Sequence, residues 1–133
     1  MKISLASPEI GDLELKLVKQ CLKSTWISST GEFIEKFETD FAQKFGAKYA
    51  ISCSNGTAAL HLALLALNIT QGDEVILPSL TFVATANVIT YVGAIPVFVD
   101  VSLKDWNIDV EQIEKKLTSK TKVLSFMLNT GPI

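Results

Sequence analysis

Two short apolar runs set the tightest limit on how this chain folds. Ile95-Pro96-Val97-Phe98-Val99 carries no polar side chain, and Val123-Leu124-Ser125-Phe126 is interrupted only by Ser125. Strands without polar alternation suit burial on both faces, which arises when helices cover both sides of a parallel sheet. Segments of helical apolar period alternate with strand-like runs along the chain. The expected class is α/β, a three-layer α/β/α arrangement around a mainly parallel sheet.

The spacing of apolar residues and punctuators predicts the elements. Ser7, Pro8 and Glu9 read as an N-cap, a proline at the first helical position and an acid in the first turn. Ile10, Leu13, Leu17 and Cys21 then mark one face of a helix running to about Lys23. Ser24 to Thr30 breaks that period. Gly31 reopens a helix whose apolar face is Phe33 or Ile34, Phe37, Phe41 and Phe45, with Gly46 as its stop. A strand is expected over Tyr49-Ala50-Ile51-Ser52-Cys53, a helix over 56–67, a strand over 74–77 and a helix over 81–92. A strand over 95–99, a helix over 109–117 and a last strand over 122–128 complete the series. About four parallel strands leave an unpaired edge and an uncovered apolar face, so marginal stability or self-association is expected.

Composition excludes several classes of function. With 133 residues the chain is one domain, and a net charge of −2 gives no electrostatic reason to bind nucleic acid or an acidic membrane surface. Cys21 and Cys53 are far apart and lack metal-ligand spacing, so two buried reduced thiols and no metal site are expected. Met1 to Ser7 lacks the pattern of a signal peptide. The most apolar stretch, Phe82 to Val101, is broken by Thr85, Asn87, Thr90, Gly93 and Pro96, which argues against a membrane span. The expected location is the cytoplasm.

The segment Ser52-Cys53-Ser54-Asn55-Gly56-Thr57-Ala58-Ala59-Leu60-His61-Leu62 carries the most chemical information. A strand-like run enters a polar turn, and a helix opens at or near Gly56. Such a junction offers unpaired backbone N–H groups and the positive end of a helix dipole, both suited to a phosphate. Gly56 permits close approach, and the Thr57 hydroxyl can add a hydrogen bond. On the local pattern alone an ordinary helix cap is the better reading, since serine, asparagine and glycine serve there too. Neither a Gly-Lys-Ser/Thr P-loop nor G-x-G-x-x-G is present.

Four motifs follow one another. They are Ser54-Asn55-Gly56-Thr57-Ala58-Ala59-Leu60-His61-Leu62-Ala63-Leu64, Gly72-Asp73-Glu74-Val75-Ile76, Pro78-Ser79-Leu80-Thr81-Phe82-Val83-Ala84-Thr85-Ala86-Asn87 and Gly93-Ala94-Ile95-Pro96-Val97-Phe98-Val99-Asp100-Val101. In this order and spacing, from about Ile3 to Lys122, the chain resembles the DegT/DnrJ/EryC1/StrS family of pyridoxal-phosphate (PLP) dependent sugar aminotransferases. Trp26-Ile27-Ser28-Ser29-Thr30-Gly31 matches a further loop of that family. The wording is closest to the perosamine-synthase-like branch, which aminates a nucleotide-linked 4-keto-6-deoxy sugar.

The resemblance implies part of an aspartate-aminotransferase-like, fold type I large domain. Residues 1–47 would form amino-terminal helices and a substrate-side loop, and 48–133 the first part of the PLP-binding domain. Gly56, Thr57 and Ala58 would hold the PLP phosphate, and Phe82 would lie against the cofactor ring. Trp26, Ser28, Ser29 and Thr30 would border the sugar-nucleotide pocket near the interface of a homodimer. Glutamate would be the amino donor, and the products would serve surface polysaccharide, including lipopolysaccharide.

The same residues have plainer readings. Without the resemblance, Phe82 is as readily a core aromatic and Trp26 a loop anchor. His61 reads as structural, Asn87 as a satisfied buried polar group, Asp100 as a strand-end turn residue, and Asp109 with Gln112 as a helix cap. The resemblance places the Schiff-base lysine and the acid that protonates the pyridine nitrogen downstream of Ile133, so no catalytic residue is expected here. Lys104, Lys115, Lys116, Lys120 and Lys122 read as solvated charges. Met127 and Asn129 stand where the family carries histidine and tyrosine, a departure that fits a truncated or frameshifted gene, a natural remnant or a fragment. The alternatives to an aminotransferase are a non-catalytic remnant of the family and a relative that uses PLP or its amine form (PMP) for sugar dehydration.

Overall fold

The structure, a computed structural model, describes residues 7–126. Its contacts divide the chain into two compact units, one ending at Ser52 and the other beginning at Cys53.

The first unit holds helices α1, Asp12–Ser24, and α2, Glu32–Phe45. Helix α1 starts at Asp12 and not at Pro8 as expected. The Gly11 N–H donates to Glu14 Oε2 at 2.8 Å. Asp12 and Glu14 also face the positive helix end, so the start is stabilised at Gly11. Glu14 is held below the usual carboxylate range by its own backbone N–H and by that of Gly11. No residue of α1 is buried, and Ile10, Leu13 and Leu17 lie exposed. Helix α2 runs as its period predicts. Its end is closed by Gly46 at φ 64°, with the Ala47 N–H donating to the Ala42 carbonyl at 2.9 Å. Phe37, Phe41 and Phe45 stack successively along it, with ring centroids 5.7 and 4.5 Å apart.

The expected strand over Tyr49 to Cys53 does not form. Tyr49 and Ile51 are exposed. The Ser52 N–H donates to Glu38 Oε1 at 2.7 Å instead of to a neighbouring strand. Its residues favour extended backbone, but a strand exists only where a ladder partner takes up its N–H and C=O groups.

The second unit contains α3, Gly56–Ala66, β1, Glu74–Pro78, and α4, Val83–Tyr91. It continues with β2, Ile95–Val99, α5, Val110–Lys116, and β3, Thr121–Leu124. Among the described residues the sheet has three strands, one fewer than expected, in the order β2-β1-β3. Both pairings are parallel, with Glu74 opposite Ile95 and Pro78 opposite Val99 on one side and Ile76 opposite Leu124 on the other. The crossovers after β1 and β2 run in opposite directions across the sheet. Right-handedness therefore puts α4 and α5 on opposite faces.

Burial follows position in that sheet. Val75, Ile76, Leu77 and Pro78 of central β1 are buried. Val75 and Leu77, two residues apart and so on one face, join Leu64 of α3 and Val88 and Ile89 of α4 in a core that Ile69 and Ala94 close. Coverage on both faces, expected for the runs at 95–99 and 123–126, fails for these outer strands. Ile95 and Phe98 of β2 and Leu124 of β3 are exposed. β3 is shorter than the expected 122–128, although the Ser125 N–H still reaches the Ile76 carbonyl at 2.8 Å. Residues 127 and 128 lie outside the described residues. Helix α4 begins two residues later than expected, at Val83. Asp109 caps α5 as predicted, with its Oδ1 accepting the Glu111 N–H at 3.0 Å and its Oδ2 accepting from Gln112 Nε2 at 2.6 Å.

Candidate functional site

In the second unit, chain direction orients the candidate residues. Helices α3 and α4 each deliver the chain to the start of a strand, β1 and β2 respectively. Packed along the sheet, their own N-termini lie toward the strands' carboxyl ends, where ligands gather in open α/β sheets.

Helix α3 opens on Asn55, which has extended backbone at φ −166°. Asn55 Oδ1 accepts the Ala58 N–H at 2.9 Å, and the Asn55 carbonyl accepts the Ala59 N–H at 3.1 Å. This narrows the expected phosphate-holding turn, because the Ala58 amide is already engaged by the cap. Among the described residues, no protein acceptor lies within hydrogen-bond reach of the Gly56 or Thr57 N–H. Gly56 is exposed, and a Cβ placed on it would meet nothing within 4 Å. Helices α1, α2 and α5 carry an acid in the first turn, whereas α3 and α4 carry none. The positive end of α3 is thus left without an internal carboxylate, beside two unpaired donors and open space. That arrangement suits a small anion.

Phe82 is the residue from which α4 starts, with extended backbone, and its carbonyl accepts the Thr85 N–H at 2.9 Å. The residue is 67% exposed, so it is not the core aromatic that the plain reading allowed. Nearby, Ser79 Oγ donates to Asp100 Oδ1 at 3.1 Å, and the same oxygen accepts the Val101 N–H at 2.8 Å. Asp100 therefore joins the carboxyl ends of β1 and β2, a tie that its reading as a turn residue did not foresee. His61 packs edge-on against Tyr91 with centroids 5.6 Å apart, in keeping with a structural role. Asn87 is exposed, contrary to its reading as a buried polar group. Lys104, Lys115, Lys116, Lys120 and Lys122 are all exposed.

In the first unit, the loop between α1 and α2 is built on Gly31 at φ 143°. A Cβ there would come within 3.3 Å of Trp26 Cβ, so the missing side chain lets Trp26 fold over the turn. Trp26, Ser28 and Thr30 line an open groove of about 850 Å³ with Cys21, Phe33 and Leu17, while Ser29 stands outside its lining. The Trp26 ring remains exposed.

One participant escaped the sequence reading, and another was read only as one of several possible caps. Asn55 had a local signal, the strong preference for asparagine at an N-cap. Glu38, whose Oε1 accepts both the N–H and the hydroxyl of Ser52 at 2.7 and 2.9 Å, had none, because the partners stand fourteen residues apart.

The chain belongs to the DegT/DnrJ/EryC1/StrS aminotransferase family, whose sequence profile matches residues 8–127. It is 51% identical over 122 residues to the GDP-perosamine synthase of Escherichia coli O157:H7, covering 92% of this chain and 34% of that protein. The aminotransferase from Psychrobacter cryohalolentis has the same fold with a TM-score of 0.81 at 41% identity, over 90% of this chain and 30% of that one. The Escherichia coli GDP-4-keto-6-deoxy-D-mannose-3-dehydratase with bound hydrated PLP also gives 0.81, at 34% identity over 92% of this chain and 33% of that one. The chain spans about a third of the length of the relatives it matches. Among the described residues no helix is long and apolar enough to cross a membrane.

Proposed function

We propose that this chain is the cofactor-phosphate-binding portion of a PLP-dependent aminotransferase acting on a nucleotide-linked keto-deoxy sugar. The observation that carries the reading is the α3 start, with two unpaired amides and no first-turn acid, in a chain 51% identical to a GDP-perosamine synthase. Residues 1–47 belong to the substrate side and 48–133 to the cofactor side. The Gly56 and Thr57 amides and the Thr57 hydroxyl hold the phosphate, with Ala58 contributing through the cap geometry that fixes the turn. An anion there gains about 0.3–1 kcal/mol from the helix dipole, in addition to the direct hydrogen bonds.

PLP, when bound, supplies a conjugated ring that accepts the electron pair released at the amino-bearing carbon. Phe82 covers a face of that ring and excludes water. Trp26, Ser28 and Thr30, with Ser29 shaping the loop, border the sugar nucleotide. In the complete reaction the amino group passes from glutamate to the keto carbon of the sugar, and the water lost from the sugar carbonyl is balanced by the water that supplies the keto oxygen of 2-oxoglutarate. The lysine and the pyridine-binding acid that this requires belong, on this reading, to parts of the family's length that this chain does not cover. The whole protein is a cytoplasmic homodimer supplying amino sugar for surface polysaccharide.

Titration of the chain with PLP, against pyridoxal lacking the phosphate, tests the site. PLP is expected to bind at least about tenfold more tightly. Equal affinities would overturn the assignment. A dehydratase that shares the cofactor is the second reading, supported by the likeness in fold to the PLP-bound dehydratase, which equals that to the aminotransferase. Incubating the complete protein with glutamate and a GDP-linked 4-keto-6-deoxy sugar separates the two. The aminotransferase yields an amino sugar, the dehydratase a deoxygenated keto sugar.

A further inference from the structure

Helix α2 sends one carboxylate to the segment that leads into the α3 turn. Glu38 Oε1 accepts from the Ser52 N–H at 2.7 Å and from the Ser52 hydroxyl at 2.9 Å. Both groups are half-buried, and the two bonds close a loop of the chain running from the middle of α2. Ser52 is three residues ahead of Asn55, the cap that holds Ala58 and leaves the Gly56 and Thr57 amides free. The segment from Tyr49 to Cys53 has no strand ladder to fix its backbone, so this carboxylate supplies a restraint that a ladder would otherwise give. Charge-assisted bonds to a carboxylate are the stronger kind, and they hold the Glu38 carboxyl below its usual range, the Ser52 N–H contributing most.

We infer that Glu38 is a positioning residue, which clamps Ser52 and so limits the conformations open to Cys53, Ser54 and Asn55 as they present the α3 amides. The inference rests on the cofactor reading above for its functional meaning, but its structural content stands apart from it. Both bonds fall on a single oxygen, so a glutamine can reproduce them with its carbonyl Oε1. An alanine removes both while favouring helix α2 intrinsically.

Hydrogen exchange by mass spectrometry on the 133-residue chain, as wild type, Glu38→Ala, Glu38→Gln and Ser52→Ala, provides the test. Glu38→Ala is expected to speed exchange of the hydrogen-bonded amides of Ser52, Ala58 and Ala59 by about tenfold, while those in the interior of α2 and in β1 keep their rates. Glu38→Gln is expected to restore rates to within about threefold of wild type, and Ser52→Ala, which keeps the N–H bond, to fall between. Unchanged exchange at Ala58 and Ala59 in Glu38→Ala, or acceleration spread equally through α2 and β1, would overturn the inference. In parallel, Glu38→Ala should weaken PLP binding by about fivefold or more and leave pyridoxal binding unchanged. If wild type does not distinguish PLP from pyridoxal, the cofactor reading fails, and the exchange pattern still decides the positioning role.

Discussion

Replacing Asn55 by aspartate separates the capping role of this position from the anion site proposed beside it. The Asn55 Oδ1 accepts the Ala58 N–H at 2.9 Å, and an aspartate oxygen can accept the same bond. Aspartate is as good an N-cap as asparagine, and its charge favours the helix start by about 0.3–1 kcal/mol. Stability should therefore hold or rise slightly. Phosphate binding should move the other way. At about 5 Å two unit charges repel by roughly 0.8 kcal/mol in water and about 3 kcal/mol at an effective dielectric of 20. A phosphate monoester carries roughly two charges, so even the water value sums to about 1.7 kcal/mol, more than tenfold in Kd. Asn55→Ala reverses the pattern, costing about 1 kcal/mol of stability through the lost cap while adding no charge. Urea unfolding reads the stability arm, and calorimetric titration with PLP reads the binding arm. Wild-type affinity in Asn55→Asp would refute the placement of a phosphate at the start of α3.

Three further outcomes follow from the geometry. Gly31→Ala places a Cβ 3.3 Å from Trp26 Cβ at φ 143°. It should cost about 1–3 kcal/mol in urea unfolding and shift the tryptophan emission, and a neutral effect would contradict the loop conformation. Glu14 has a depressed folded pKa, so its contribution to the α1 start is present above the ordinary glutamate range and disappears as pH falls through the folded value. Circular dichroism across that acid range should show α1 fraying in wild type at a lower pH than its unfolded-state glutamate would titrate, with no such step in Glu14→Gln. The exposed stack of Phe37, Phe41 and Phe45 should drive concentration-dependent association in sedimentation experiments, and Phe41→Glu should reduce it. A monomer over the whole accessible concentration range would count against that expectation.

Much of the fold was legible because the signals are local. Helix α2 lies between the two glycines that punctuate it, β2 spans the run from Ile95 to Val99, and Asp109 with Gln112 caps α5. At the candidate site, Gly56 and Thr57 were found from the preference of helix starts for anions, and the asparagine that takes the Ala58 amide could have been read from the same segment. The start of α1 was missed because Ser7-Pro8-Glu9 and Gly11-Asp12-x-Glu14 are competing caps, and only the realised bond to Gly11 selects one. The strand expected at Tyr49 to Cys53 was missed because extended residues become a strand only beside a partner.

By itself, then, the order of residues determined the α/β alternation, the capping chemistry and the family, since each depends on side chains a few positions apart or on motifs in series. Among the described residues, tertiary structure decided that β1 is central and buried while β2 and β3 are edges, that Glu38 reaches Ser52, and that two of the α3 amides remain unpaired. The physical reason is that burial and hydrogen-bond satisfaction are set by groups distant in sequence. The same apolar run is covered in the middle of a sheet and exposed at its edge.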